Sequence, residues 1–391
     1  MGFVLFVFSK DEFDQVGSSV MRISHISVSN LPVLYRFGGA IERRIVEIAS
    51  EQARRGHRVR VYSAGDPTDT REVNGVTYHF LRCRTRLPLK HLELQYKVVR
   101  EVKKHPADVL HFHSQPEGAW MSKALGAKKV LSYDFFQFRG GRETPLYHLY
   151  KRVLRGFDLL LPCSQYCLEE SKSFWSFPAN KLRILYNGVN TQQFRPDPEA
   201  AARERGQLGI DNKVMLYVGR VCEQKGSDLL LQAARTLRER RRDVQLVIAG
   251  PIGQFGLKDD QDGWVARIKE VGGLYLGAVE EGRLNAIYNL ADVFVMPTRA
   301  YEMFGMAAVE AQACGKPVVS SDSGGLKEVV PSNCGARVPV GDSAKMADEI
   351  EKLVDDSDLY AACSANALIN AVTYDWARIC DTCDELYRTA S

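Results

Sequence analysis

Two glutamates, Glu302 and Glu310, lie eight positions apart where an apolar strand gives way to a helix. The apolar run 291–296 predicts a buried parallel strand that Pro297 ends, and the good helix formers of 304–313 predict a helix that carries Glu310. Eight residues of helix advance the backbone by roughly 12 Å. We therefore expect the two carboxylates to bind separate parts of one elongated ligand rather than a single reacting atom.

The start of this predicted helix adds a second kind of chemistry, because its unpaired amides, from Met303 onward, carry partial positive charge. Such amides bind phosphate groups or sugar hydroxyls. The structural alternative is that Glu302 merely favours the helix dipole and Glu310 is a solvated helical residue. The other motifs of the chain favour ligand binding, and a nucleotide-sugar has about the required shape.

Two cations follow another predicted strand. In the segment 217–226 the strand ends at Gly219, and Arg220 and Lys225 bracket a tight loop. Arginine offers a planar fork of donors and lysine a point charge, and both suit a diphosphate. Taken alone, such cations are more often solvated surface residues.

Two glycine pairs precede helices. Gly38 and Gly39 lead into a predicted helix over 40–55, so the backbone there can approach a ligand closely, although a plain turn explains the pair equally well. Gly324 and Gly325 form a similar turn after the strand that follows the two acids. Their amides are expected to line the same phosphate pocket.

Side chains alternate between the two faces of the predicted strand 108–113, so His111 and His113 share one face. His113 comes last and lies at the mouth of the site, where the strand ends. A histidine there can donate to a sugar hydroxyl or a phosphate oxygen. A structural hydrogen bond is an equally good explanation of the residue by itself.

Composition limits the protein classes. The chain has 391 residues, 45% hydrophobic and 26% charged, which predicts a globular protein with two domains. A net charge of +4 is too weak to indicate nucleic-acid binding, and the cysteines show no zinc-like cluster. Their odd number, nine, and their apolar surroundings favour reduced thiols in a cytosolic protein. The Cys380 and Cys383 spacing is more typical of helical neighbours than of a redox site.

Short apolar runs alternate with helical stretches through both halves of the chain, which predicts an α/β fold with two doubly wound parallel sheets. Ligands of such folds bind at the carboxyl ends of the strands, so a cleft between two facing domains is the expected site. The predicted divisions are an extension over 1–20, a first domain over 21–190, a linker over 191–206, a second domain over 207–373 and a helix over 374–391 that returns to the first domain.

No stretch of the sequence reaches the ~18 apolar residues that cross a bilayer. The apolar start before Lys10 lacks a basic leader and makes a poor secretion signal, so a cytoplasmic location is expected. The basic, amphipathic segment 82–104 can lie on anionic lipid, which would place the protein at the inner face of the membrane. A solvated helix face is the favoured explanation of this segment.

The order and spacing of these motifs resemble the retaining glycosyltransferases of family four, which have the GT-B fold, from Met21 onward. Each motif is degenerate, whereas the set is specific. The matching segments are Gly38-Gly39, His113 in its strand, Asn187–Asn190 before Phe194 and Pro196, Gly219-Arg220 with Lys225-Gly226, Glu302 with Glu310, Gly315–Val318, and Gly324-Gly325 with Glu328.

The resemblance implies a role for each matching residue. Glu302, with the backbone at Phe304, Gly305 and Met306, holds hydroxyls of the donor sugar, and Glu310 accepts hydrogen bonds from the ribose. The remaining roles are as follows: Arg220 and Lys225 neutralise the leaving diphosphate, His113 contacts the donor sugar or stabilises the reaction centre, Gly38 and Gly39 let a loop close over the phosphates, and Gly219, Gly324 and Gly325 line the pocket.

The implied chemistry needs no cofactor and no metal. Positive charge develops on the sugar and negative charge on the diphosphate, and fixed cations stabilise that anion. No Asp-x-Asp ends a convincing strand, and Asp259-Asp260 sits in a polar loop. Retention with same-face attack follows from the resemblance. The expected donor is a UDP-hexose or UDP-N-acetylhexosamine first and GDP-mannose second, with a sugar, glycolipid or small-molecule acceptor.

Three other functions compete. A sugar-nucleotide epimerase could use the same cleft without an acceptor. A non-catalytic sugar-nucleotide-binding protein would bind the donor without turnover, but the presence of both Glu302 and Glu310 disfavours a decayed site. A nicotinamide oxidoreductase would have Gly-x-Gly-x-x-Gly after a strand, and Phe37-Gly38-Gly39 lacks that spacing.

Overall fold

Two sheets, each covered by helices on both faces, form the framework of the protein. The computed structural model describes residues 20–27, 32–34, 39–86, 89–134, 144–175, 179–241, 243–253 and 260–389. The predicted extension 1–20 therefore lies almost wholly outside the described residues.

The strands of the first half are β1 (Arg22–Ile26), β2 (Arg58–Ala64), β3 (Asp69–Val73), β4 (Val76–Leu81), β5 (Val109–His113), β6 (Lys128–Tyr133) and β7 (Leu159–Pro162). They form one sheet in the order β3-β4-β2-β1-β5-β6-β7, in which β3 alone runs antiparallel to its neighbour. The helices of this half are α1 (Ala40–Arg54), α2 (Leu89–Lys104), α3 (Gly118–Met121), α4 (Pro145–Leu154) and α5 (Gln165–Trp175).

The strands of the second half are β8 (Lys213–Val218), β9 (Val244–Ala249), β10 (Leu274–Tyr275), β11 (Val293–Met296), β12 (Val318–Ser321) and β13 (Gly335–Val338). They form a parallel sheet in the order β10-β9-β8-β11-β12-β13. The helices are α6 (Pro198–Leu208), α7 (Ser227–Arg240), α8 (Gln261–Glu270), α9 (Glu281–Asn289), α10 (Met306–Ala313), α11 (Leu326–Val329), α12 (Ser343–Asp355), α13 (Ser357–Thr373) and α14 (Trp376–Thr389).

The predicted α/β class with two doubly wound domains is confirmed. Central strands such as β5 and β11 are buried along their whole length because helices cover both faces, which is why they read as largely apolar runs. The strand order reverses between β1 and β5 in the first sheet and between β8 and β11 in the second. The carboxyl ends at these two reversal points are the places where such folds bind ligands.

Two parts of the predicted pattern differ in the structure. The apolar alternation of 183–186 predicts one more strand of the first half, but this segment forms no continuous ladder: the amides of Arg183 and Leu185 donate to carbonyls of β7, so it only runs beside the sheet edge. In the predicted linker, Asp197 caps α6 by accepting from the amide of Ala200, and residues 198–206 are helical. Helix α6 packs on α9 of the second domain, with Glu204 paired to Arg283 at 2.7 Å.

The chain returns to the first domain through α14, as predicted. Val189 and Tyr374 lie side by side where the chain crosses between domains, with the amide of Val189 donating to the carbonyl of Tyr374 at 2.8 Å. Beyond this crossing, the apolar face of α14, including Trp376 and Ile379, packs with Ile23 of β1 and Ile48 of α1. Within the described ranges, no helix has both the length and the apolar character to span a bilayer.

Candidate functional site

The loop between β11 and α10 carries Glu302. Its end is set by Gly305, whose φ of +104° lies in the left-handed region and stops any helix from starting earlier. Helix α10 therefore begins at Met306 rather than at the predicted position 304, and no side chain caps it. Its first amides are left for another acceptor, which is the arrangement that binds anions at a helix start. The side chain of Phe304 packs against Tyr374, so only its backbone faces this loop's polar groups.

Lys225 and Glu302 form an ion pair at this loop. Lys225 ends a short 3-10 helix, Glu223–Lys225, that follows β8, and its Nζ lies 2.6 Å from Glu302 Oε2. The two loops are in direct backbone contact, because a Cβ added at Gly226 would lie 1.8 Å from the carbonyl oxygen of Pro297. The pair is partly open, with side-chain exposures of 28% and 17%.

Arg220 lies in the same loop region, between Gly219 and Lys225. The Tyr217 hydroxyl donates to the carbonyl of Arg220 at 2.7 Å. Burial raises the pKa of Tyr217, Cys222 and Glu302 raise it further, and the charge of Arg220 opposes them. Arg220 and Glu302 therefore both act on this one ring, and the loop that carries Arg220 also carries Lys225, the ion-pair partner of Glu302.

Gly324 and Gly325 pack directly against the backbone of the loop that carries Glu302. The amide of Gly325 donates to the carbonyl of Glu302 at 2.7 Å. A Cβ at Gly324 would lie 2.2 Å from that oxygen, and a Cβ at Gly325 would lie 2.4 Å from the carbonyl oxygen of Met303. The glycines are thus required for the loop's position, and their direct contact with phosphate stays a prediction.

Glu310 is buried on α10, not solvated, and residues from both domains hold it. The Tyr288 hydroxyl of α9 donates to Glu310 Oε2 at 2.6 Å. Arg43, on α1 of the first domain, forms an ion pair with the other carboxylate oxygen. The side chain of Glu310 is only 5% exposed. This carboxylate therefore lies at the contact between the two domains.

Further contacts place the Glu302 loop in the cleft. The Glu328 carboxylate accepts from the amides of Gln165 and Tyr166 at the start of α5, each at 2.9 Å. A carboxylate at that position is stabilised by the helix dipole. The Tyr166 ring stacks on Tyr301, beside Glu302, with ring centroids 5.5 Å apart. The carboxyl ends of β7 and β11 thus meet across the cleft.

His113 ends β5 at the reversal point of the first sheet, but it is fully buried rather than open at a mouth. It stacks on His111 with ring centroids 4.2 Å apart, and its Nε2 lies 3.0 Å from His25 Nδ1. Burial lowers the pKa of His113 well below the usual value, aided by His111 and Arg44. The physical reason is that α1 and α14 cover this face of the sheet, where Gln52 contacts His25 and Tyr387 contacts His111. The local pattern of β5 does not reveal that cover.

His25, His111 and His113 have ring nitrogens within 4.8 Å of one another, a geometry that could hold a metal ion. Most of the ring nitrogens, however, already have partners: His111 contacts Tyr387 Oη at 2.5 Å and Ser132 Oγ at 2.7 Å, and His25 Nδ1 faces His113 Nε2. The Arg44 cation also acts on His111 and His113. The three residues fit a hydrogen-bonded cluster better than a cation site.

The first-domain glycines are only partly described. Gly39 precedes α1, and a Cβ there would lie 2.7 Å from Glu42 Oε2. Gly38 lies outside the described residues. Closure of their loop over phosphates stays a prediction.

Sequence reasoning missed the residues that contact the predicted ones from far along the chain. Arg43 and Tyr288 hold Glu310, and His25 and Gln52 lie behind His113. A polar residue inside an apolar central strand, such as His25 in β1, is the signal that could have indicated a buried polar cluster. Arg43 and Tyr288 gave no comparable signal.

A groove of about 840 Å³ lies elsewhere, between α6 and α13. Its lining includes Lys213 and Asp292, at the amino ends of β8 and β11. The groove therefore lies at the amino ends of these strands, whereas Glu302 follows the carboxyl end of β11. It is separate from the candidate site.

Two family models match the chain, one in each half. The model described as "Glycosyltransferase Family 4" matches residues 37–193, and the model described as "Glycosyl transferases group 1" matches residues 200–368. Together they span most of the sequence and both domains.

Similar proteins are found among curated sequences and solved structures. A phosphatidyl-myo-inositol mannosyltransferase of Mycobacterium leprae is 28% identical over 95% of this chain and 97% of its own length. A D-inositol 3-phosphate glycosyltransferase of Catenulispora acidiphila is 36% identical over 61% of this chain, and the match spans 59% of that relative. The structure of Anabaena Alr3699/HepE in complex with UDP and glucose superposes with a TM-score of 0.76 at 22% identity, covering 94% of this chain and 100% of that one.

Proposed function

Because this chain belongs to the family-four glycosyltransferases and has the GT-B fold, we propose that it transfers a hexose or N-acetylhexosamine from a nucleoside diphosphate sugar to an acceptor hydroxyl. The anomeric configuration is retained, and no metal takes part. One observation carries the proposal: Lys225 and Glu302 form an ion pair in the loops beside the uncapped start of α10, and Arg220 lies in the same loop as Lys225.

The charges of this group suit the cleavage of a glycosyl phosphate bond. Lys225 and Arg220 stabilise the negative charge that grows on the departing diphosphate, as oriented donors and cations do in other transition states. Before the donor binds, Glu302 neutralises Lys225. When Lys225 pairs with the diphosphate instead, the Glu302 carboxylate becomes available to accept hydrogen bonds from hydroxyls of the donor sugar.

Glu310 binds the ribose in this proposal. A carboxylate offers about four acceptor positions, and Tyr288 and Arg43 use two of them. The remaining positions are able to accept the ribose hydroxyls. The nucleoside then lies along α10 and the sugar lies near Glu302, so the two acids bind opposite parts of the donor.

The acceptor hydroxyl attacks the anomeric carbon on the same face of the sugar from which the leaving group departs. The departing phosphate helps to take the acceptor's proton. The donor is a UDP-sugar first, a choice supported by the HepE relative solved with UDP and glucose. GDP-mannose is second, supported by the mannosyltransferase relative. The acceptor is a sugar, glycolipid or small polyol, for which the two inositol-directed relatives favour an inositol-containing compound.

The protein acts in the cytoplasm, where its nine free thiols stay reduced. A peripheral contact with the inner membrane face is supported by helix α2, on which Leu89, Leu92 and Tyr96 are exposed. Against that stands the pairing of its cations, since Lys97 and Lys104 form ion pairs with Glu93 and Glu101 on the same helix.

A thermal-shift panel tests the donor, because a ligand that binds the native state raises the melting temperature. UDP-glucose, UDP-N-acetylglucosamine and GDP-mannose are compared with ADP-ribose as a control. A rise with one sugar nucleotide, followed by transfer of labelled sugar to an inositol acceptor, supports the proposal. No rise with any of them contradicts it.

The same samples distinguish the transferase from the two other sugar-nucleotide functions, the epimerase and the non-catalytic binding protein. Incubation with the donor alone converts one sugar nucleotide into another if the protein is an epimerase. A binding protein without activity shows the thermal shift and no product with any acceptor. Either result replaces the transferase assignment.

A further inference from the structure

A buried chain of hydrogen bonds runs from the C-terminal helix to His113. Asp384 Oδ1 on α14 accepts from Gln52 Nε2 on α1 at 2.9 Å, and Gln52 Oε1 lies 2.9 Å from His25 Nε2 on β1. His25 Nδ1 lies 3.0 Å from His113 Nε2 on β5. The four side chains are almost wholly excluded from solvent. Four elements from the two ends of the chain thus form one polar line inside the first domain.

The chemistry of these groups fixes the direction of every bond in the line. An ionised carboxylate only accepts, so the amide group of Gln52 must face Asp384 and its oxygen must face His25. His25 must then carry its proton on Nε2. A neutral imidazole has one proton, so His25 Nδ1 is an acceptor and His113 must donate to it from Nε2.

The protonation states support this order. Burial lowers the pKa of His25 to about 4, so His25 is neutral at neutral pH. Burial acts to raise the pKa of Asp384, but hydrogen bonds from His57 and Gln52 outweigh it and leave the pKa lowered, so the carboxylate is ionised. His113 is neutral as well, because burial lowers its pKa.

The consequence falls on the other nitrogen of His113. With its proton on Nε2, the neutral ring presents Nδ1 as a bare acceptor. Nδ1 is buried and has no hydrogen-bond partner in the described part of the chain. Buried acceptors are rarely left unpaired, so an unpaired one indicates a ligand or water position.

Arg44 adds donors to the same region. Its Nη1 donates to Asp134 and Asn187, while Nε and Nη2 are buried without partners among the described residues. Its charge acts on His113. A hydroxyl group, which both donates and accepts, matches one free acceptor and nearby free donors better than a phosphate oxygen, which only accepts.

We infer that Asp384, Gln52 and His25 are positioning residues that hold His113 as the Nε2-protonated tautomer, so that His113 accepts a hydrogen bond from a substrate hydroxyl through Nδ1. The tautomer follows from the contacts and protonation states of these four residues, whereas the substrate contact rests on the proposed function. The return of α14 to the first domain then has a functional consequence, because it supplies the carboxylate that orients the line.

The test reads the two ring nitrogens directly. The full chain is labelled with ¹⁵N-histidine, and the ring signals of His113 are assigned by their loss in His113→Gln. The expected spectrum at neutral pH shows a protonated Nε2 and an unprotonated Nδ1. A protonated Nδ1, or a doubly protonated ring, overturns the inference. This result needs no substitution of Asp384, Gln52 or His25.

Variants of the line supply the second readout. His25→Leu and Gln52→Leu are expected to abolish the preference for the Nε2 tautomer. His25→Asn is expected to restore it, because an asparagine oxygen near the place of Nδ1 accepts from His113. Ser132→Ala, which removes a partner of His111 only, is the matched control and keeps the wild-type tautomer. A tautomer unchanged in His25→Leu overturns the inference, and if that variant fails to fold, Gln52→Leu and the wild-type spectrum still decide.

Addition of UDP-glucose or GDP-mannose to the wild-type protein tests the substrate contact. A shift of the Nδ1 signal toward that of a hydrogen-bonded acceptor, together with loss of kcat at unchanged KM in His25→Leu and its recovery in His25→Asn, supports it. Donor binding without a change at Nδ1 overturns the contact. If neither donor binds, the proposed function and the contact fail together, while the spectra without ligand still decide the tautomer.

Discussion

Lys225 Nζ lies 2.6 Å from Glu302 Oε2, and this pair joins the loop after β8 to the loop after β11. These two strands flank the reversal point of the second sheet. The contact places a cation and an acid where a doubly wound sheet binds its ligand. It also keeps the cation close to the start of α10, so both positive features face one region.

Replacement of Lys225 by alanine is expected to lower kcat by about 100-fold, because loss of one donor to a developing anion costs on the order of 3 kcal/mol. Steady-state kinetics with the donor found by thermal shift give the value. Lys269→Ala, at an exposed position of α8, is the matched control and keeps the wild-type rate. A normal rate in Lys225→Ala removes the phosphate role from this lysine.

Glu310→Gln is expected to weaken donor binding through the ribose. Hydrogen bonds to a charged partner contribute about 1.5–3 kcal/mol, so affinity falls roughly 10- to 100-fold. The sharper measurement compares the nucleotide with its 2′,3′-dideoxy analogue by calorimetry. The wild-type protein distinguishes them, and Glu310→Gln does not. Equal discrimination by both proteins would place the ribose elsewhere.

Gly325→Ala is expected to damage the site without touching the ligand. The new Cβ would lie 2.4 Å from the Met303 carbonyl oxygen, and forcing such a contact costs about 1–3 kcal/mol. Both the melting temperature and kcat fall. Gly206→Ala is the control, since nothing lies within 4 Å of its Cβ on helix α6, and alanine there stabilises by roughly 0.5–1 kcal/mol. A fully active Gly325→Ala protein would show that the loop needs no such bracing.

The buried histidines make stability depend on pH. Because the pKa of His25 is lowered to about 4, the unfolded state binds more protons than the folded state between pH 6.5 and 4, and stability falls as the pH falls through that window. A pKa that differs by one between the folded and the unfolded state changes the free energy of unfolding by about 1.4 kcal/mol. Glu47, whose pKa burial raises to about 7, acts in the opposite direction.

Urea unfolding at pH 7 and pH 5 isolates the histidine contribution by difference. His25→Asn is expected to lose less stability between the two pH values than the wild-type protein does. His148→Gln, at an exposed position, leaves the wild-type difference intact. An unchanged difference in His25→Asn contradicts a buried neutral imidazole.

Metal removal is the last test. Transfer in the presence of excess EDTA is expected to proceed at the rate seen with added Mg²⁺, because Lys225 and Arg220 supply the charge that a metal would otherwise supply. Loss of activity with EDTA, restored by a divalent ion, would replace this mechanism with a metal-assisted one.

Most strands and helices could be predicted from sequence because burial on both faces leaves a local record, a short apolar run between helical patterns. The exceptions lack that record. The edge strand β3 is polar and largely exposed, and β13 has four residues, one of them exposed. The strand ends that carry Arg220, Lys225 and Glu302 were equally readable, since each motif is contiguous and its loop type follows from its own residues.

The sequence by itself therefore determined the α/β architecture and the segments that end at the cleft. Only the tertiary structure decided which residues meet there: Arg43 with Glu310 across the domains, and Asp384 with Gln52, 332 positions apart, behind His113. Such pairs leave no local pattern, because nothing in the spacing of one segment records the chemistry of a distant one. The burial of His113 has the same origin, since α14 covers the first domain only after the chain has crossed back.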